Sequence, residues 1–113
     1  MIRLAGLFFD VPAEDERAEV AFWAEVFGAE RTETDGPEDP YTALHGGHGA
    51  PFPVEVQRLG TGEARFHIDV GSDDVDVDAD RLEALGATRV EKIGSWWVMR
   101  DPAGLTFCIV PRD

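Results

Sequence analysis

Phe22-Trp23-Ala24-Glu25-Val26-Phe27-Gly28-Ala29-Glu30-Arg31-Thr32-Glu33 and Asp80-Arg81-Leu82-Glu83-Ala84-Leu85-Gly86-Ala87-Thr88-Arg89-Val90-Glu91 are the two stretches that decide the fold. Set 58 residues apart (86 − 28), they match at five of twelve positions: Glu25, Gly28, Ala29, Arg31 and Glu33 meet Glu83, Gly86, Ala87, Arg89 and Glu91. A second block upstream, Phe8-Phe9-Asp10-Val11, meets His67-Ile68-Asp69-Val70 at an offset of 59 (67 − 8). Two matching blocks in the same order read as a duplicated unit, and an internal repeat governs the architecture before any single element does.

Each unit opens on a short alternating strand, residues 4–11 and 65–70, in which successive side chains face opposite sides. An amphipathic helix follows. In the first unit it spans about 13 to Phe27, with Val20, Trp23, Phe27, Phe22 and Val26 as its apolar face and Glu14, Asp15 and Glu16 in its first turn, where the helix dipole favours negative charge. In the second it spans about Asp74 to Leu85, with Val75, Leu82 and Leu85 facing inward and Ser72 or Asp73 placed to cap it. Gly28 and Gly86 follow the helices, where the left-handed stop conformation favours glycine. Three strands then complete each unit, at 29–34, 41–45 and 53–59 and again at 87–92, 95–100 and 105–110. The turn Asp101-Pro102-Ala103-Gly104 separates the last two. The expected fold is α+β: two tandem βαβββ modules, about 1–60 and 61–113, within a single domain 1–113, whose curved sheets enclose a cleft.

Bulk properties narrow the partners. A chain of 113 residues can bury a core without disulfide or metal staples. The single cysteine, Cys108, excludes an internal disulfide and fits a reducing compartment, so a cytoplasmic location is expected. The formal charge of −13 and the lack of a basic stripe argue against nucleic acid and anionic membrane as partners. No apolar run is long enough to span a bilayer. There is no phosphate loop and no nucleophile-elbow serine.

Several stretches together resemble the glyoxalase-like branch of the vicinal oxygen chelate superfamily, which includes glyoxalase I, extradiol dioxygenases and bleomycin-resistance proteins. They are the doubled β-α-β-β-β order, Phe22-Trp23-Ala24 late in the first helix, Phe66-His67-Ile68-Asp69-Val70, Ala84-Leu85-Gly86-Ala87-Thr88-Arg89-Val90, and Trp97-Val98-Met99-Arg100-Asp101-Pro102-Ala103-Gly104-Leu105-Thr106-Phe107-Cys108-Ile109-Val110. The resemblance implies a ligand cleft, a homodimer and, in metal-using members, a divalent ion held by the first and last strand of each unit. Counting five residues before the closing valine gives Gly6 and Arg65, counting four after the turn glycine gives Cys108, and strand pairing gives Gln57 as the counterpart of Cys108 in the first unit. Glycine offers no ligand atom and arginine opposes a cation, so no metal and no other cofactor is expected. A register two residues further along would place His67 at ligand depth and reopen the divalent-metal alternative. His45-Gly46-Gly47-His48 reads as a flexible hairpin with solvated histidines, and the acidic run from Asp73 to Asp80 as a charged helix start.

Alternation also sorts the candidate ligand-binding residues. Phe66, Ile68 and Val70, with Leu7, Phe9 and Val11, are expected beneath the helices. Phe8, Asp10, Glu55, Gln57, Arg65, His67, Asp69 and Cys108 take the opposite faces, and Trp97, or its neighbour Trp96, supplies a flat apolar wall. His67, with Asp69 to orient it, is the candidate acid/base pair because imidazole titrates near neutrality. Its structural alternative is a hydrogen bond to Asp69 or a carbonyl. Cys108 reads as a small buried residue and Trp23 as core. The leading expectation is a metal-independent protein that holds a small organic ligand in the cleft between the modules, in a sequestering or resistance role. The alternative is a lyase or isomerase using His67, with or without a divalent metal, and a partner-binding module is the third reading. Whether the chain is an enzyme stays open at this point.

Overall fold

The computed structural model describes residues 2–32 and 36–112. It is a mixed α+β fold in which the β-α-β-β-β order occurs twice. The first pass comprises β1 (Arg3–Pro12), a 3-10 turn (Ala13–Asp15), α1 (Glu16–Phe27), β2 (Glu30–Arg31), β3 (Tyr41–His45) and β4 (Val54–Leu59). The second comprises β5 (Arg65–Ser72), α2 (Val75–Ala84), β6 (Thr88–Ile93), β7 (Trp96–Arg100) and β8 (Thr106–Pro111). The sheet order is β2-β3-β4-β1 in the first pass and β5-β8-β7-β6 in the second. Both follow one plan. The strand that opens the module lies parallel to the strand that closes it, β1 with β4 and β5 with β8, and the remaining pairs are antiparallel. This is the duplication expected from the repeat, found again in hydrogen-bond topology. By contact density the chain divides into two compact units, one of Gly6–Phe66, the other of the N-terminal residues through Ala5 together with His67 onward.

In the first unit the core consists of Phe9, Val11, Val20, Leu44, Val54 and Val56, with Trp23, Ala24 and Phe27 of α1 packed on it. Trp23 stacks on Phe9 at 4.7 Å and on Phe27 at 5.4 Å, and its indole N–H donates to Glu19 at 2.8 Å. It is core, as its place on the helix suggests. Phe22 and Val26 are not: they are more than half exposed, because the apolar stripe of α1 is narrower than the sequence pattern implies. α1 ends on Gly28 in the left-handed conformation (φ 63°), which relieves the Cβ clash that any other residue would suffer there.

In the second unit Ala79, Met99 and Ile109 form the core, and Val70, Val75, Leu82, Trp97 and Phe107 pack against it. Leu85 is exposed, contrary to expectation, because α2 stops at Ala84 and Leu85 lies past its last turn. Neither Ser72 nor Asp73 is the helix cap. Asp74 takes that role, its carboxylate accepting the Val77 N–H at 3.2 Å. Ser72 instead accepts the Asp74 N–H at 3.1 Å and donates to Asp78 at 2.6 Å, which holds the Asp78 carboxyl below its ordinary range. Phe66 and Ile68 are corrected as well: Phe66 is 64% exposed and touches Phe9 edge-on at 5.3 Å, and Ile68 is 38% exposed. Of the three apolar residues in that strand, only Val70 joins the helix-covered core. The last two residues of the predicted strand 29–34 lie outside the described residues, and β2 as observed is only Glu30–Arg31.

Candidate functional site

Strand pairing decides which side chains share a face. In the second unit Ile68 pairs with Phe107, Val70 with Ile109 and Trp97 with Ile109, and Ile109 lies fully buried in the core that α2 covers. The residues between them point the other way. Asp69 pairs with Cys108, and His67 lies two residues before Asp69 on the same strand, so His67, Asp69 and Cys108 occupy one face, opposite α2. One ligand atom from each lies within 4.8 Å of the others, and the His67 Nε2 is 3.5 Å from an Asp69 carboxylate oxygen. His67 and Cys108 are buried, at 8% and 9% exposure, and the Asp69 side chain is 19% exposed. An imidazole, a carboxylate and a thiol are thus gathered on the sheet face that carries no helix.

Trp97 does not join them. Its register with Ile109 turns it toward α2, where its indole N–H donates to Asp76 at 3.1 Å and the Arg89 guanidinium covers its ring at 4.8 Å. Lys92 donates to the same Asp76 at 3.0 Å. The hydrogen bonds from Lys92 and Trp97 hold the Asp76 carboxyl below its ordinary range. Trp97 is therefore a clasp between β7 and α2, and the choice of Trp97 as a ligand wall is corrected by strand register.

In the first unit β1 and β4 present Phe8, Asp10, Glu55 and Gln57 away from α1, with Phe8 paired to Glu55 and Asp10 to Gln57. Phe8 and Asp10 are buried, Asp10 at 1% exposure. Arg65 reaches Asp10, Nε to Oδ2 at 3.4 Å, while leaving 46% of its side chain exposed. Tyr41, which pairs with Gln57 from β3, lies on the same face: its hydroxyl accepts from the Gln57 amide at 3.2 Å and its ring meets Phe8 at 5.9 Å. Sequence reasoning passed over Tyr41. The available signal was its parity in strand 41–45, but parity becomes a face only once the β3–β4 register is known. His45 stands at the exposed end of β3, where it hydrogen-bonds Thr32, and His48 Nδ1 accepts the Ala50 N–H at 3.0 Å. Both line an open depression of about 370 Å³ in the β3–β4 connection, with Pro51, Phe52 and Pro53.

The metal set implied by the superfamily does not fit these residues. Gly6 has no donor, the Arg65 guanidinium is committed to Asp10, and the Gln57 amide donates to Tyr41. The side chains that do lie beside Cys108 are His67 and Asp69, the first of them two residues beyond the position reached by counting back from Val70.

A sequence model described as a glyoxalase-like domain matches residues 6–110. Among solved structures, the chain is similar to a methylmalonyl-CoA epimerase in complex with methylmalonyl-CoA and ammonium: TM-score 0.67, 20% identity, 98% of this chain and 94% of that one. It is similar to the Streptomyces coelicolor methylmalonyl-CoA epimerase in complex with 2-nitronate-propionyl-CoA, with TM-score 0.65, 20% identity and 96% of each chain. A hypothetical protein from Bacillus halodurans superposes with TM-score 0.68 at 12% identity over 99% of this chain and 95% of that one. No curated protein matches in sequence. At these identities the structural likenesses carry the fold and nothing more.

Proposed function

The chain belongs to the glyoxalase-like domain family of the vicinal oxygen chelate superfamily, and from that premise we propose that it binds a small organic ligand at His67, Asp69 and Cys108. The observation that supports this is the gathering of three chemically distinct polar side chains, two of them buried, on a sheet face opposite the helix. Binding sites commonly combine a few placed polar groups with apolar surroundings. The reading draws on no metal at Gly6, Gln57, Arg65 or Cys108.

The test is a thermal-shift screen of small carboxylic acids, heterocycles and acyl-CoA thioesters. The thioesters are included because methylmalonyl-CoA and 2-nitronate-propionyl-CoA are the molecules bound to the similar epimerases. A true ligand at a hundred times its dissociation constant stabilises by about 2.7 kcal/mol. His67→Ala is expected to weaken binding by about 1–3 kcal/mol, the usual cost of losing a buried polar partner. No stabiliser across the panel, or one whose affinity His67→Ala leaves untouched, would remove the reading.

The 3.5 Å approach of His67 to Asp69 favours a second reading, a lyase or isomerase in which the imidazole moves a proton and the carboxylate orients it. Its signature is hydrogen–deuterium exchange at the carbon beside a ligand carbonyl, catalysed by the native protein and lost in His67→Ala. Binding without exchange leaves the first reading standing alone. With either reading we propose a cytoplasmic homodimer of single-domain chains, each built of two modules.

A further inference from the structure

We propose that a recess beside α1, walled by β1 and the start of β5, binds a small organic ammonium ion, with Glu19 as its counter-charge and the rings of Phe66 and Phe9 as its apolar wall. The inference does not depend on the ligand reading at His67, Asp69 and Cys108, because every residue it uses lies between Phe9 and Phe66 in the first unit.

The placement follows from alternation and helical spacing. Phe9 and Val11 share the α1 side of β1 because residues two apart on a strand face the same way. Glu19 and Trp23, four apart on α1, are neighbours on the helix surface. The Trp23 indole N–H donates to Glu19 Oε2 at 2.8 Å while its ring stacks on Phe9 at 4.7 Å, so the carboxylate is held beside the aromatic cluster. Phe66 adds a further ring, meeting Phe9 edge-on at 5.3 Å with 64% of the residue exposed. These side chains, with Asp10 and Arg65, line a space of about 200 Å³. A cavity of about 150 Å³ already accommodates benzene.

Charge selects the ligand. Asp10 and Arg65 are paired with each other at 3.4 Å. Glu19 has only the neutral indole as a partner, and among the described residues its Oε1 accepts no hydrogen bond. The recess therefore carries one uncompensated negative charge next to aromatic rings, a combination that attracts an organic cation. An anion would meet two carboxylates, with the one guanidinium already engaged. A hard metal ion requires a shell of oxygen ligands, which Phe9, Val11 and Phe66 do not supply. The field of a chain with net charge −13 raises the local concentration of cations. An ammonium group would donate to Glu19 Oε1, and its hydrocarbon part would cover the Phe66 ring and remove apolar surface from water.

Benzylammonium is the probe, with benzyl alcohol and benzoate as its neutral and anionic analogues of similar size. Isothermal titration calorimetry is expected to show saturable one-to-one binding of benzylammonium, at least tenfold tighter than either analogue. Glu19→Gln, which keeps an acceptor for the Trp23 indole, should weaken that binding at least tenfold, and Phe66→Ala at least threefold, with circular dichroism confirming that each variant is folded. Glu25→Gln removes the same charge from an exposed position on the same helix and should leave the affinity within twofold, which separates a local site from the general field of an acidic chain. Absence of saturable benzylammonium binding would overturn the proposal, as would benzyl alcohol or benzoate binding equally well. So would an affinity unchanged in folded Glu19→Gln or Phe66→Ala, or a loss in Glu25→Gln equal to that in Glu19→Gln.

Discussion

Two isoleucines on adjacent strands give the sharpest test of the face assignment on which the site rests. Ile109 on β8 is fully buried, whereas Ile68 on β5 is 38% exposed, although both point toward the helix-covered side. Truncation to alanine removes three carbons from either, a transfer loss of about 2.4 kcal/mol at about 0.8 kcal/mol per buried carbon. At Ile109 the surrounding Val70, Met99 and Trp97 leave a sealed void. A residual cavity of roughly 50 Å³ adds about 1.2 kcal/mol, for a total of about 3.6 kcal/mol. At Ile68 the transfer loss scales with its burial to about 1.5 kcal/mol, and water fills the space, so no cavity cost is added. Ile109→Ala should thus be less stable than Ile68→Ala by about 2 kcal/mol, a separation of roughly 1 M or more in urea midpoint. Equilibrium urea denaturation, with the slope checked for constancy across the variants, measures it. Equal costs within about 0.5 kcal/mol, or a larger cost at Ile68, would show that the alternation of β5 and β8 has been assigned to the wrong faces, and His67, Asp69 and Cys108 would lose their common side.

Three further outcomes are expected. Asp76 and Asp78 have folded-state pKa values below the ordinary 3.8, so their contribution is present above that value and is lost as pH falls through the lowered one; Asp76→Asn with Asp78→Asn should lower the neutral plateau of a melting-temperature profile and flatten its acid limb below about pH 4, and an unchanged acid limb would refute the Lys92–Asp76–Trp97 and Ser72–Asp78 contacts. Gly47→Ala should destabilise by more than about 2 kcal/mol, since an added Cβ would stand 1.8 Å from the Phe27 carbonyl oxygen at φ +74°, whereas Gly46→Ala meets open space and bears only the strain of φ +78°; thermal melts that rank the two the other way would count against the packing of the β3–β4 connection onto the end of α1. Light scattering should give a dimer at micromolar concentration, because β6 is an edge strand of its unit with Val90 and Ile93 exposed, and exposed strand edges invite pairing or cover; a monomer throughout would refute it.

Most of the fold was legible because its signals are local. β3 is found at 41–45 as read, the remaining strands and both helices fall within a few residues of their expected bounds, and the two helix-ending glycines stand where the repeat puts them. The site was legible only in part, for a different reason. Parity along a strand can be read from sequence, and it placed Phe8, Asp10, His67, Asp69 and Cys108 on the sides they occupy. Proximity across strands cannot: His67 and Cys108 are 41 residues apart (108 − 67), and only the Asp69–Cys108 register brings them together. The same limit separated Trp96 from Trp97. Adjacent residues face opposite sides, and β6 carries a register irregularity between Arg89 and Glu91, so parity could not be carried from the helix exit into β7. Exposure at Phe22 and Val26 escaped the helical pattern because periodicity gives a direction but not the width of the surface a helix meets, and exposure at Leu85 escaped it because α2 ends one residue earlier, at Ala84.

The parallel pairing of each opening strand with its closing strand also dictates the order in which the chain can fold. Ile68 finds Phe107 across 39 intervening steps (107 − 68), and Leu7 finds Val54 across 47 (54 − 7), so each sheet is completed by its most distant contact. Loop-closure entropy must be overcome before those contacts contribute, which slows folding relative to a hairpin meander of equal size. The β3–β4 and β6–β7–β8 hairpins can form early from neighbouring residues. β5, which carries His67 and Asp69, can pair with β8 only after Thr106–Pro111 has been synthesised. Emerging from the ribosome, the second module therefore holds an unsatisfied strand edge until nearly its last residues appear, and a chain stalled just short of them would be a ready substrate for chaperones or for aggregation.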